Sequence, residues 1–324
     1  MGEIELYPLL MESVPKETVW GGSRLKTDYG KSAGTDRLGE SWELSAVPGS
    51  ESRVLNGCYR GMTLNALAET YGTAFWRAHD KGGRFPLLVK LIDAAQNLSV
   101  QVHPSDERAD AAKGEQGKAE MWYVLDAKPE SCLYLGFSGR VSRETLEKSC
   151  ERGTVLSLLN RVRVSKGDVF YVPPGTIHAI GRGITLAEIQ QSSDTTFRIY
   201  DYDRLDADGR PRALHWEQGC RVVDYEPLVP ERCRANAMVQ FDAFTLSELY
   251  SCVYFRSYRI DVRKSVRLSC DAASFRNVLC VEGSGTINCR GEDYPIGKGQ
   301  SYFLPAGMGD YRLAGNCTVL LSWI

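Results

Sequence analysis

Apolar and polar residues alternate along most of this chain in short runs broken by glycine and proline, a pattern that predicts β-strands joined by tight turns. Phe85 to Asp93 is a nearly continuous apolar run and predicts a buried strand, with Lys90 as its one basic interruption. Leu98 to His103 alternates strictly. Ser99, Gln101 and His103 fall on one face, Leu98, Val100 and Val102 on the other, and Pro104 ends the strand. The same alternation puts Lys118 and Glu120 on one face of the next strand, Glu120 to Leu125, expected to neighbour the Gln101 strand in a small barrel. Val164 to Ile180 predicts a strand, a Pro-Gly turn and a second strand carrying His178, and Thr185 to Arg204 a strand whose polar face carries Arg198. Helical spacing appears from Thr63 to His79, where Leu64, Leu67, Ala68, Tyr71, Phe75 and Trp76 recur at three- and four-residue steps. A second helical segment is expected over 139–161, with Ser142 as its N-cap. Residues 205–235 look like an irregular connection.

With 324 residues the chain exceeds the usual size of one hydrophobic core, and an internal repeat supports two. Lys166 to His178 aligns without gaps on Lys298 to Asp310, and Val124 to Cys132 aligns more loosely on Leu279 to Ile287. Both copies keep the glycine and Pro-x-Gly turns, whereas His178 falls opposite Asp310 and Glu120 opposite Phe275, so only the first copy keeps candidate ligands. The expected domains are 1–235, with the chemistry, and 236–324, a degenerate copy. Thirty-one glycines and thirteen prolines suit an all-β protein with few short helices. The net charge of -2, without long like-charge runs, offers nothing to nucleic acid or an anionic membrane. No signal peptide and no run long enough to span a bilayer are visible, so a cytoplasmic location is expected. Ten cysteines, spread singly, fit reduced buried residues rather than a zinc ribbon or a disulfide framework.

The chain has four histidines, and two of them, His103 and His178, sit on strands beside polar partners. With Gln101 and Glu120 in phase they make a set of two imidazoles, a carboxylate and an amide, which suits Zn²⁺ and also Fe²⁺, Mn²⁺ or Co²⁺. Two histidines and one carboxylate on such a barrel also describe non-haem iron oxygenases, and a sugar-phosphate sensor would keep Lys90 and Arg198 without a metal.

Ser99-Val-Gln101-Val-His103-Pro, Lys118-Ala-Glu120-Met-Trp-Tyr, Pro173-Pro-Gly-Thr-Ile-His178 and the segment from Gln190 through Arg198 to Arg204 closely resemble type I mannose-6-phosphate isomerases in their shorter bacterial form. Trp20-Gly-Gly and Gly39-Glu-Ser-Trp-Glu43 precede them in the same order. The resemblance implies two cupin (jelly-roll) barrels, one zinc ion held by Gln101, His103, Glu120 and His178, and interconversion of mannose 6-phosphate and fructose 6-phosphate through a cis-enediol. It further implies that Arg198 stabilises the enediolate, that Lys118 transfers the proton or touches substrate, and that Lys90 and Ser99 contact phosphate or hydroxyl groups. A monomer is expected. Gly117 stands where longer bacterial members carry a histidine, and the large helical domain of those forms is missing.

Overall fold

The first part of the chain forms strands β1 (Leu9–Met11), β2 (Val14–Gly22), β3 (Leu38–Leu44), β4 (Leu87–Ala94), β5 (Val100–Val102), β6 (Glu120–Ala127), β7 (Cys132–Phe137), β8 (Leu159–Arg163), β9 (Asp168–Val172), β10 (His178–Ile180), β11 (Ile184–Gln191) and β12 (Phe197–Tyr200). The remainder forms β13 (Arg232–Arg234), β14 (Asn236–Gln240), β15 (Phe244–Ser251), β16 (Arg256–Val262), β17 (Ser265–Cys270), β18 (Arg276–Cys289), β19 (Glu292–Gly297), β20 (Ser301–Leu304) and β21 (Gly309–Trp323). Helices are short: α1 (Arg24–Tyr29), α2 (Leu64–Tyr71), α3 (Arg143–Glu151) and α4 (Trp216–Val222). The structure, a computed structural model, describes residues 4–76, 84–110, 114, 116–206, 208–234 and 236–324.

Two sheets make the first cupin unit. One runs β13-β9-β6-β11-β4-β2-β3 and the other β12-β5-β10-β7-β8, and their facing sides enclose Trp20, Ile92, Trp122, Val124, Leu133, Leu135, Phe170, Ile184 and Leu186. The outer side of the smaller sheet is covered by α3 and α4 through Val100, Val102, Leu146, Ile199 and Val222. The second unit is a sheet containing β14–β21 with its own apolar interior, including Ile260, Val278, Cys280, Leu313 and Val319. The two units share a core between their outer faces. There Phe85 stands 4.9 Å from Phe275 and Phe275 5.4 Å from Phe303 by ring centroids. β1 crosses over to pair antiparallel with β20, tying the N-terminal segment to the second sheet.

The repeat is visible in the backbone. Gly167 and Gly299 have φ of 91° and 86°, and Gly175 and Gly307 have φ of 85° and 79°, left-handed turns that glycine adopts without steric cost. Strand pairing moves one correspondence: Glu120 lies opposite Val172, while Leu304, the counterpart of Val172, lies opposite Arg276 rather than Phe275. On β21, Tyr311 and Leu313 enter the second core and Asp310 is exposed. The second unit thus places Arg276 and the exposed Asp310 where the first has Glu120 and His178, and neither a histidine nor a buried carboxylate stands at those positions.

Four local expectations change. α2 stops at Tyr71, where Gly72 (φ 75°) donates its N–H to Ala68 O; Phe75 and Trp76 follow in a short turn and pack between the two units. The end of that expected helix, including His79, lies outside the described residues. Ser142 does cap α3, accepting from the Thr145 N–H at 3.1 Å, but the helix ends at Glu151; Gly153 (φ 66°) turns the chain, and a 3₁₀ turn leads into β8. Thr185 to Arg204 is two strands, β11 and β12, in different sheets, and 205–235 contains α4 and β13.

Candidate metal centre

The polar side chains gather at one end of the first interior because strand register lines them up. On the larger sheet, Trp42, Lys90, Glu188, Trp122 and Phe170 form one cross-strand row, and Gln190, Glu120 and Val172 form the next. On the smaller sheet, Arg198, Gln101 and His178 are in register across β12, β5 and β10. Gln101 and Glu120 thus face each other from opposite sheets instead of lying on neighbouring strands. Period-two alternation tells which face a residue takes, but not which strand lies beside it.

His103, Glu120 and His178 converge with ligand-capable atoms within 4.8 Å of one another, the only such group among the described residues. Glu120 Oε1 is 3.2 Å from His178 Nε2, and Glu120 Oε2 is 3.5 Å from His103 Nε2. All three residues are buried. A tetrahedral ion with bonds of about 2.0–2.1 Å separates its ligands by about 3.3–3.4 Å, so these spacings suit one small cation. Each imidazole is oriented from behind: His103 Nδ1 donates to Thr195 O at 2.9 Å and His178 Nδ1 to Thr176 O at 2.8 Å, which turns both Nε2 lone pairs inward. Both oxygens of Glu120 are fully buried and accept no hydrogen bond within the usual limits. A buried inward carboxylate and two inward imidazole nitrogens are a fitting donor set for a divalent cation.

The electrostatics agree. Burial holds the His178 imidazolium down to about 4 and lowers His103 well below the usual range, helped by Lys118, so both rings are neutral at pH 7. Burial also pushes Glu120 up to about 8, with Lys118 opposing and Glu188 adding to the rise. A divalent charge between the three groups favours the carboxylate and reverses that shift. Gln101 directs its Nε2 at His178 Nε2, 3.3 Å away, while its Oε1 accepts from Ser99 Oγ at 3.4 Å; ligation through oxygen requires the amide turned over.

Lys118 Nζ lies 3.1 Å from His103 Nε2 and 3.2 Å from Glu120 Oε2, so its face was correctly expected and it borders the cluster directly. Lys90 is buried and ion-paired with Glu188 Oε2 at 3.2 Å and Glu40 Oε2 at 3.4 Å, and burial, which alone would lower it, is outweighed by these carboxylates. Arg198 donates from Nη1 to Ala213 O at 2.7 Å, makes no ion pair among the described residues, and keeps a buried Nε without a partner. His215, on the same strand's flank, accepts from the Arg198 N–H at 3.1 Å and takes no part in the cluster.

Sequence reasoning passed over Glu188 and Glu40. Glu188 accepts from Trp122 Nε1 at 2.9 Å, and Lys90 holds it down to about 2 against the opposing effect of burial. A signal existed: Glu188 interrupts the apolar run of β11 as Lys90 interrupts that of β4, and opposite charges in two buried strands imply pairing.

Comparison with known proteins places the chain among sequences of matching length. The model of the phosphomannose isomerase type I catalytic domain matches residues 9–137, and that of the mannose-6-phosphate isomerase cupin domain matches 245–324. The chain is 40% identical over 316 residues to mannose-6-phosphate isomerase ManA of Bacillus subtilis, covering 97% of this chain and 98% of that one. It is 36% identical to a mannose-6-phosphate isomerase of Streptococcus mutans, covering 97% and 98%. A crystal structure of a mannose 6-phosphate isomerase from Bacillus subtilis superposes with a TM-score of 0.90 at 36% identity, covering 98% of this chain and 99% of that one.

Proposed function

The chain belongs to the type I phosphomannose isomerases, and on that premise we propose that it interconverts mannose 6-phosphate and fructose 6-phosphate at the His103–Glu120–His178 cluster, with zinc as the resident ion and a cis-enediol as the intermediate. The observation that carries this reading is the convergence of the buried Glu120 carboxylate with the inward Nε2 atoms of His103 and His178. His103, Glu120 and His178 hold the ion, with Gln101 as fourth ligand once its amide oxygen is turned inward. A bound zinc supplies Lewis-acid polarisation of the sugar oxygens at C1 and C2.

The chain's own residues supply the rest. Lys118 borders the cluster, where it transfers the proton between C2 and C1 or fixes the substrate oxygen from which charge develops. Arg198, a planar cation without a carboxylate partner among the described residues, stabilises the enediolate. Ser99, hydrogen-bonded to Gln101, contacts a substrate hydroxyl. Lys90 is already neutralised by two carboxylates, so it serves as a hydroxyl donor in preference to a phosphate grip. Chemistry is thereby confined to the first unit, 1–235, and the second, 236–324, is scaffold for it. No helix among the described residues is long and apolar enough to cross a membrane.

The test is a coupled assay for fructose 6-phosphate formed from mannose 6-phosphate, before and after chelation and with zinc restored. Activity lost with the chelator and regained with zinc is the expected result; a folded, zinc-loaded sample without turnover overturns the reading.

A further inference from the structure

We propose that the second unit, which lacks the ligand cluster, carries a binding site of its own for a small phosphorylated metabolite, held by Arg267, Arg290 and Arg312. Arg267 on β17 and Arg312 on β21 are direct cross-strand partners on the exposed face of the sheet. Like charges directly opposite one another across an antiparallel pair destabilise it, and an exposed sheet face normally avoids the arrangement by placing a carboxylate opposite. Elsewhere this chain does supply partners: Arg259 pairs with Asp261 two residues along its own strand, and Arg276 with Asp271. Among the described residues the side chains of Arg267 and Arg312 make neither an ion pair nor a hydrogen bond.

The third arginine is brought in by the hairpin between β18 and β19. Arg290 sits there with a left-handed backbone, φ 52°, a conformation a non-glycine residue rarely takes, and its Nη2 donates to Met308 O at 3.3 Å, which draws the guanidinium over the start of β21. The three arginines line one open hollow of about 550 Å³. Asp310 is the one carboxylate on its wall, so three positive charges meet one negative charge and the balance of two matches a phosphate monoester dianion. Leu268 and Tyr311 form the floor; the Tyr311 ring is buried and offers no exposed face on which a nucleobase could stack. The hollow is therefore suited to a compact phosphate ester or a diphosphate, bound through paired N–H donors of arginine, and not to a nucleotide base. β17, β18 and β21 belong to the sheet of the second unit, so the site is built independently of the sheets that carry His103, Glu120 and His178.

The experiment is isothermal titration of the zinc-loaded protein with inorganic pyrophosphate, comparing the unmodified chain, Arg267→Gln, Arg312→Gln and the double variant. Each single substitution removes one set of charge-assisted hydrogen bonds and weakens this binding event about tenfold, and the double variant abolishes it. Turnover of mannose 6-phosphate stays unchanged in all three variants, which separates this site from the catalytic one. The ligand-free double variant melts at the same temperature as the unmodified chain or higher, because the facing charges are gone. Identical pyrophosphate titrations for the unmodified chain and the double variant overturn the proposal. So does a short DNA duplex that binds the patch as tightly as pyrophosphate, since that result marks a non-specific polyanion surface.

Discussion

Replacing Lys90 by methionine isolates the buried charge row behind the metal centre. Lys90 Nζ lies 3.2 Å from Glu188 and 3.4 Å from Glu40, with Lys90 4% and Glu188 3% exposed. The Glu40 side chain keeps about a fifth of its surface in solvent, so its share of the pairing is screened and small. The loss falls on Glu188, which Lys90 holds down to about 2 against its burial. Removing one partner of a buried ion pair costs about 3–5 kcal/mol, chiefly because the remaining charge is left unpaired. Here Lys118 also acts on Glu188 and the carboxyl can take up a proton, so we expect the lower end, about 3 kcal/mol. Glu188→Gln keeps an acceptor for Trp122 Nε1 and leaves Lys90 with Glu40. In the double variant Lys90→Met with Glu188→Gln neither half of the pair is left charged and alone, and its loss is smaller than the sum of the two single losses by about 1–3 kcal/mol. Urea unfolding at pH 7 of all four proteins measures this. A Lys90→Met variant within about 1 kcal/mol of the unmodified chain, or a double variant that is simply additive, refutes the argument that the row is held by this pair.

Three further outcomes are expected. His178→Ala lowers zinc content after dialysis to background by elemental analysis, since it removes one of three converging ligands; full retention of zinc would place the ion elsewhere. Arg198→Ala reduces kcat by about 10²–10³-fold with zinc content unchanged, the range seen when one stabiliser of a developing oxyanion is removed, and an unaltered kcat would sink its assigned role. Gly299→Ala destabilises more than Gly167→Ala, although both are left-handed members of the same repeat. A Cβ on Gly299 would lie 2.3 Å from Tyr29 O, whereas nothing lies within 4 Å of one on Gly167; equal melting temperatures for the two variants would contradict this.

Much of the site was legible because β-structure reports its faces in sequence. Alternation put Ser99, Gln101 and His103 together and Lys118 with Glu120, and the repeat marked which copy lacks the candidate ligands. Glu188 stayed hidden because a single acidic residue in an apolar strand declares itself buried only when the strand opposite brings Lys90 into register. Helix lengths were overestimated at both places: apolar spacing continued past Gly72 at α2, the N-cap at Ser142 gave α3 a start but no end, and glycines at 72 and 153 turn the chain first.

What the sequence by itself determined is the alternation, the turns, the two-fold repeat and the family these belong to, all of which depend on local periodicity and residue identity. What only the tertiary structure decided is partnership. The pairing of β5 with β10 and β12 and of β6 with β9 and β11 set Gln101 and Glu120 on facing sheets, and the loop carbonyls of Thr195 and Thr176 turned the two imidazoles inward. Period-two alternation leaves the choice of neighbouring strand open. That choice is made by the long-range packing of apolar faces such as Trp122, Phe170 and Leu186, and it converts separate polar faces into one buried cluster.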